Sequence, residues 1–353
     1  LGRIDVTDVQ INGGPLVKGT YQIYPATASG DRAGGAFLSC NAATETGVDV
    51  PPGKWRVEVS YPSVDSGTKI DVHVVDGAGS YVVGEETALL ACLHGLRGTV
   101  SARPPFPADK GLYAKPTVVN NAETLTNVPF IIQNGAAAYR VNGTEKSPGT
   151  KVFCLSGHIQ KPGVVELPLG TTLRELIYTH GGGIRDGKAF KAVMLSGASS
   201  VVLKVDDALL DTPLDYESVA AKGAMLGSAS VIVLDETVDL SWVILKTTRF
   251  FKHESCGKCT PCREGTYWML NILERINKGA AVKADIDLLQ NVAGQIQNKC
   301  LCPLGEFSVT PVLASLKTFR ADFDAHATDA APKPAAKPAP KPAAKQATAE
   351  AGD

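Results

Sequence analysis

Cys256-Gly257-Lys258-Cys259-Thr260-Pro261-Cys262 places three thiols two residues apart, and a fourth follows at Cys302 within Leu301-Cys302-Pro303-Leu304-Gly305. Three close thiolates and one distant one are what a cubane iron–sulfur cluster needs: four sulfur ligands, most of them from one local loop. Zinc held by four thiolates is the rival chemistry, although zinc sites usually read as two separated cysteine pairs. A disulfide framework fits poorly, because nothing in the chain suggests a small secreted domain. Cys300, two residues before Cys302, is an ambiguous ligand, whereas Cys40, Cys92 and Cys154 read as small buried residues.

Working outward, 353 residues suffice for two or three domains. A hydrophobic content of 44% is ordinary for a globular protein, and a net charge of −1 gives no electrostatic case for nucleic acid. No apolar run reaches the ~20 residues of a membrane span. No secretory signal is visible, and eight cysteines, four of them assigned to one centre, suit a reducing cytoplasm. The sequence begins at Leu1 and not at Met, which leaves open a start further upstream.

The surroundings of the thiols carry a family resemblance. His253-Glu254-Ser255-Cys256 through Cys262-Arg263-Glu264-Gly265-Thr266 resembles the cluster motif of the NADH-binding flavoprotein subunit of complex I (NADH-quinone oxidoreductase). The related subunits of NAD-linked hydrogenases and formate dehydrogenases share it. In that family the fourth ligand also sits in a Cys-x-Leu-Gly context, as Cys302 does. The resemblance runs from about Asp71 to about His326. It implies a 4Fe-4S cluster on Cys256, Cys259, Cys262 and Cys302, FMN as cofactor and NAD(H) as substrate.

Two further motifs carry the resemblance. Gly84-Glu85-Glu86-Thr87 follows a Gly-rich turn; on its own it reads as a helix start with acidic residues favoured by the dipole. In the family this segment lies against the flavin and the nicotinamide, which implies a catalytic and cofactor-binding role for Glu85 and Glu86 beside Gly84. After the extended Arg103-Pro104-Pro105-Phe106-Pro107 comes Lys110-Gly111-Leu112-Tyr113, then Pro116-Thr117 and Asn120-Asn121-Ala122-Glu123-Thr124. By resemblance Tyr113 stacks on the dinucleotide beside Lys110, while Asn120, Asn121 and Thr124 hydrogen-bond the flavin. Amides and hydroxyls suit a ring that offers both donors and acceptors. Asn120-Asn121 also reads as a helix N-cap.

Upstream of Asp71 the resemblance is poor. Leu16–Tyr24 and Trp55–Tyr61 alternate as strands, with turn signals at Asn12-Gly13-Gly14-Pro15 and Pro51-Pro52-Gly53-Lys54. Ser29-Gly30-Asp31-Arg32-Ala33-Gly34-Gly35 resembles a degenerate flavin phosphate loop, since bare backbone N–H groups can converge on phosphate. Ala43 and Thr44 stand where acidic residues are expected. A different β-rich module remains the other reading of residues 1–70.

The rest divides into three. Residues 149–236 read as an α/β module with strands at Thr150–Ser156, Gly163–Leu167, Ala192–Leu195 and Ser230–Leu234, and a helix over Thr172–Tyr178 ended by glycines. It resembles the soluble-ligand-binding β-grasp module of the same subunits, and His158 and His180 read as structural or surface. Residues 237–328 are helical. Val243, Leu245 and Phe250 face a core, Ile286, Leu289, Val292 and Ile296 follow helical spacing, and Thr310-Pro311 starts a helix carrying Val312, Leu316, Phe319 and Phe323. A C-terminal four-helix iron–sulfur bundle is the economical architecture. Residues 329–353, rich in Ala, Pro and Lys, read as a disordered tail.

The expected protein is thus a multidomain α+β and α/β chain with an incomplete nucleotide-binding region over 71–148. By resemblance it is an NADH dehydrogenase-type electron-transfer subunit that passes electrons from NADH through FMN to the cluster. Other iron–sulfur subunits are the implied partners, a thioredoxin-like 2Fe-2S subunit among them. The implied location is cytoplasmic, with membrane association only through partner subunits. A flavin-less relay or scaffold subunit, or a truncated fragment of the flavoprotein subunit, is the alternative.

Overall fold

A computed structural model describes residues 71–77 and 79–329, together with the backbone of five strands within residues 1–70. Those strands are β1 (Gly2–Ile4), β2 (Thr20–Pro25), β3 (Leu38–Asn41), β4 (Val48–Val50) and β5 (Trp55–Ser60). With β6 (Asp71–Val74), three of them form an antiparallel sheet in the order β3-β2-β5-β6, while β1 pairs with β4. The expected strands around Tyr21 and Val57 are therefore present. The Gly30–Gly35 loop with Arg32, the side chain of Cys40 and the tail from residue 330 lie outside the described residues.

Between β6 and the next module the chain is mostly helix and loop. Tyr81–Gly84 is a 3-10 turn that leads into α1 (Glu86–Leu93). Val82 is buried beneath that turn, so the apolar Val82-Val83 pair that mimics a strand is one turn of tight helix instead. Cys92 and Cys154 are half-buried, not buried. α2 (Ala122–Tyr139) contains Pro129 and breaks its regular geometry at Gly135; none of its side chains is buried among the described residues.

The third module is built on a mixed sheet in the order β10-β9-β11-β7-β8, from β7 (Thr150–Gly157), β8 (Gly163–Pro168), β9 (Phe190–Met194), β10 (Leu203–Lys204) and β11 (Ser230–Asp235). The central pair β7 and β11 is parallel and the other pairs are antiparallel. Phe153, Leu155, Val193, Val231 and Val233 point to one side and meet Leu173, Leu176 and Ile177. The expected helix there is a wide π turn, Glu175–His180, whose entry is fixed by Thr172 Oγ1 accepting from Glu175 N at 3.1 Å. The short helices α3 (Asp207–Leu210) and α4 (Tyr216–Ala221) begin on the side chains of Asp206 and Asp215. His158 Nδ1 lies 2.9 Å from the buried Asp235, and His180 is 3.8 Å from Glu175.

Four long helices close the chain: α5 (Leu240–Glu254), α6 (Thr260–Asn277), α7 (Lys283–Ile296) and α8 (Leu304–Thr318). Each packs on its neighbour in sequence, and α8 returns against α5. Ile244, Met269, Leu273, Ile286, Leu289 and Val312 fill one core, which burial at three- and four-residue spacing along each helix predicts. A two-residue strand β12 (Ala281–Val282) and β13 (Ala327–Thr328) pair in parallel, with α9 (Arg320–Asp324) between α8 and β13. Asp329, assigned to the tail by composition, still pairs with Lys283 at 2.5 Å.

Three readings of this region are corrected. Thr310-Pro311 does not start a helix: both lie inside α8, where Pro311 is buried. An interior proline costs about 3 kcal/mol, and the apolar face of Val309, Val312 and Leu316 around it offsets that cost. Phe319 and Phe323 do not continue the stripe of α8, which stops at Thr318, but α9 turns both into the same core. Phe250 is 36% exposed and packs edge-on against Tyr81, whereas Phe251 is fully buried beside the thiols. One residue along a helix rotates a side chain by about 100°, enough to exchange those roles. Replacing Phe251 by Ala is expected to cost about 3–5 kcal/mol, and Phe250→Ala clearly less. Chemical denaturation of both variants checks this; the reverse order contradicts it.

Candidate metal centre and nucleotide face

The end of α5 and the start of α6 form the thiol loop. α5 stops at Glu254, with Ser255 already extended. Gly257 then turns with φ +82°, a conformation that favours glycine. Cys259 is the N-cap of α6, Pro261 occupies its first turn, and Cys262 points inward at 7% exposure. The Arg263 guanidinium donates back to Gly257 O at 2.7 Å and pins the turn. Cys302 arrives on the loop between α7 and α8, which Glu306 ties down by accepting from Asn298 N.

The four expected ligands are brought together. Cys256, Cys259, Cys300 and Cys302 all pack around buried Cys262, Phe251, Leu304, Val82 and Val100. Leu301 N donates to Cys259 Sγ at 3.3 Å, and Ser255 Oγ lies 3.3 Å from Cys262 Sγ. The hydrogen bond from Cys300 holds the Cys262 thiol down at about 7, helped by Ser255 and opposed by burial. Cys300 is pushed up by the same hydrogen bond and by burial; Cys302 is pushed up by burial and by the neighbouring thiols. Such a pocket cannot hold several bare thiolates, so its donors call for a cationic partner.

Zinc and a cubane space their thiolate ligands differently. A single tetrahedral zinc, with Zn–S near 2.3 Å, would draw sulfurs to about 4 Å of one another. Among the described residues no three His, Cys, Asp or Glu side chains gather to hold one ion. A cubane binds each thiolate to a different iron and spreads its ligands wider.

The residues expected to meet FMN and the dinucleotide fall into two sets. Gly84 and Glu85 line a cleft of about 310 Å3 with Tyr81, Val82, Cys302, Pro303, Leu304 and Phe307, so the Gly-Glu-Glu segment and the fourth ligand share one wall. Tyr81 N donates to Glu254 Oε2 at 2.9 Å, which ties that segment to the helix end two residues before Cys256. Glu85 is also the N-cap of α1, accepting from Thr87 N at 2.9 Å and Ala88 N at 3.0 Å. Arg103 Nη2 bridges the carboxylates of Glu85 and Glu86 at 2.6 and 2.7 Å.

Lys110, Tyr113, Asn120, Asn121 and Thr124 do not line this cleft. Tyr113 is 70% exposed with φ +51°, its N–H donating to His94 Nε2 at 3.0 Å and its ring edge-on to His94. Asn121 caps α2 by accepting from Glu123 N at 2.8 Å. Lys110, Asn120 and Thr124 are exposed. Sequence reasoning missed Arg103, Tyr81 and Glu254, whose roles arise from contacts across 18 and 173 residues. An arginine opening a proline-rich loop was the one local signal.

Comparison with known proteins accords with this arrangement. Residues 242–326 match the family model described as the NADH-ubiquinone oxidoreductase-F iron-sulfur binding region, residues 152–201 an SLBB domain, and residues 37–130 the Nuo51 FMN-binding domain. The F subunit of the NADH-quinone oxidoreductase of Mycobacterium tuberculosis H37Rv is 48% identical over 261 residues, 74% of this chain and 58% of that one. The HndC subunit of the NADP-reducing hydrogenase of Solidesulfovibrio fructosivorans is 45% identical over 264 residues, 75% of this chain and 54% of that one. A solved NAD+-reducing NiFe-hydrogenase in the H2-reduced state superposes with a TM-score of 0.66 at 37% identity, over 71% of this chain and 42% of that one. The chain spans between half and two thirds of the length of the curated relatives it matches.

Because Glu85 caps α1, its replacement has a structural signature. Glu85→Ala is expected to cost about 1 kcal/mol, while Glu85→Gln, which keeps an acceptor oxygen, costs less. Denaturant unfolding of the two variants measures this, and equal losses would contradict the capping geometry.

Proposed function

We propose that the chain is the electron-transfer subunit of an NAD(H)-linked oxidoreductase, an NADH dehydrogenase-type flavoprotein subunit. The observation that carries this is the shared cleft, which Gly84 and Glu85 line together with Cys302 and Pro303. The relatives matched over the same residues are named as NADH-quinone oxidoreductase and hydrogenase subunits, which supports the reading.

Cys256, Cys259, Cys262 and Cys302 would hold a 4Fe-4S cluster, and Gly84, Glu85, Glu86, Asn120, Asn121 and Thr124 would meet FMN. Lys110 and Tyr113 would meet the dinucleotide. When bound, the flavin accepts hydride from NADH as two electrons and the cluster takes electrons singly. The chain's own residues have simpler tasks. The bare Gly84 leaves open space for a planar ring: nothing lies within 4 Å of where a side chain would start. Arg103 holds both carboxylates in place and screens their charge. Val82, Phe251 and Leu304 exclude water from the thiols.

The modular division at residues 148, 236 and 328 belongs to the same reading, with the five-stranded module as a β-grasp and the four helices as the cluster bundle, whereas a boundary at 70 does not, because β6 (Asp71–Val74) joins β5 in one sheet. Partner iron–sulfur subunits, including a thioredoxin-like 2Fe-2S protein, would receive the electrons on the cytoplasmic side. No helix among the described residues is long and apolar enough to cross a membrane, so membrane association would come through partners.

A flavin-less relay is the second reading, favoured by one observation: Asn121 spends its side chain on the α2 cap and does not reach the cleft. Flavin phosphate carries about two negative charges, and Arg103, the cation beside the cleft, is already engaged by Glu85 and Glu86. FMN is therefore expected to bind the isolated chain weakly, at micromolar or weaker affinity, and NADH oxidation to need a partner. Titrating FMN by its fluorescence decides this; tight stoichiometric binding with NADH-driven bleaching would contradict the weak site and secure the dehydrogenase reading. Cys302→Ser is expected to abolish the iron signal while leaving the fold intact by circular dichroism, and full iron retention would remove Cys302 from the ligand set.

A further inference from the structure

A second cleft lies between the five-stranded sheet and α5. Along β11, Val231 and Val233 point into the module's own core, so Ile232 and Leu234 face the other way. Ile232 sits opposite Met194 of β9. α5 meets this side of the sheet with its cap Asp239 and with Trp242, Val243, Lys246 and Thr247, which recur at the three- and four-residue spacing of one helix face. Sheet and helix do not close on each other completely. They leave a cleft of about 660 Å3, within the size range of small-molecule sites. Met194, Leu234 and Val243 are buried and form its floor, while Trp242 stands at the rim, 52% exposed.

The charges around the cleft are met on one side only. Asp235, 1% exposed, accepts from Thr237 N at 2.9 Å and from Thr237 Oγ1, and lies 2.9 Å from His158 Nδ1. Burial would push its carboxyl up, but these partners hold it below the usual carboxylate range. Asp239 accepts from Ser241 N at 2.8 Å and has His326 Nε2 at 2.7 Å. Lys246 has no such partner. Among the described residues it meets no carboxylate, and its ammonium lies 5.1 Å from the centre of the Trp242 ring.

We propose that this cleft binds a flat aromatic carboxylate, its ring against Trp242 and the apolar floor and its carboxylate on Lys246. The site is separate from the thiol loop, because the cleft takes the start of α5 and the loop follows its end. It does not rest on the cluster or the flavin reading. The apolar floor and the indole supply contact area, and two rings gain from an offset or edge-on arrangement. The ammonium supplies orientation and selects charge, since a carboxylate accepts a charge-assisted hydrogen bond from it. A neutral molecule of the same shape keeps the first contribution and loses the second.

The test is calorimetric titration of the full chain with naphthoate and, separately, with naphthalenemethanol, a neutral molecule of similar shape. Naphthoate is expected to bind saturably at one site, about threefold or more tighter than the alcohol. Lys246→Met keeps the stem and removes the charge. It is expected to bring naphthoate to the affinity of the alcohol and to leave the alcohol unchanged. Trp242→Ala is expected to weaken both by about three- to tenfold. Both side chains are exposed, so the fold is expected to survive each change, which circular dichroism verifies. The chain has three tryptophans, and their indole N–H signals in the magnetic resonance spectrum locate the ligand. The signal that is missing from Trp242→Phe is the one expected to move when naphthoate is added. Equal affinities for acid and alcohol overturn the proposal, as does unchanged naphthoate binding in Lys246→Met. Movement of another indole signal alone, or no saturable binding, overturns it as well.

Discussion

Several thiols facing one another in a partly apolar pocket are the constraint on which the C-terminal half depends. Cys262 is 7% exposed and shares its surroundings with four other cysteines. Packed together without a counter-charge, their thiolates would repel and lack hydration, which is why burial and neighbouring thiols push Cys302 up. A cationic iron core removes both costs, and metal binding then becomes part of the folding free energy. The four helices make this geometry. α5 and α6 present one loop, α7 and α8 present the other, and the packing of α8 on α5 closes the ring that brings them together.

The same contacts extend to the nucleotide face. The Tyr81–Glu254 hydrogen bond and the edge-on packing of Tyr81 on Phe250 and Phe251 fasten the Gly84-Glu85 segment to the helix that ends at the thiol loop. A residue at the cleft and a proposed cluster ligand are thereby held beside the end of α5. Such rigidity would suit the proposed electron transfer, because a site on packed elements keeps its distances better than one on free loops. Arg103, from a proline-rich loop, fixes the orientation of the two carboxylates.

The proposed ligand set stands out in the sequence because its chemistry lies in spacing, three thiols two residues apart and one in a distinct context, and the structure packs all four with Cys300 in one pocket. The helices were legible where burial follows a 3.6-residue period, as along Met269, Ile272, Leu273 and Ile276. Sequence reasoning failed where a local preference competed with packing. Thr310-Pro311 has the chemistry of a helix start, yet sits mid-helix because its apolar neighbours are wanted in the core. Phe250 and Phe251 are equally apolar, and only the phase of α5 separates them. The Arg103 bridge and the Tyr81–Glu254 link join residues far apart in sequence, so no window of residues contains them. Glu85 and Asn121 cap their helices here, and the ligand role the resemblance implies for them stays a proposal, since an oxygen at a helix start serves its cap as readily as a ligand.

The central claim is that these thiols bind one cubane cluster. It is tested most directly by iron and acid-labile sulfide analysis of the anaerobically purified full chain, read together with its low-temperature EPR spectrum. The account predicts about four irons and about four sulfides per chain, with a spectrum that appears only on reduction. One zinc per chain, with neither iron nor sulfide, would contradict it.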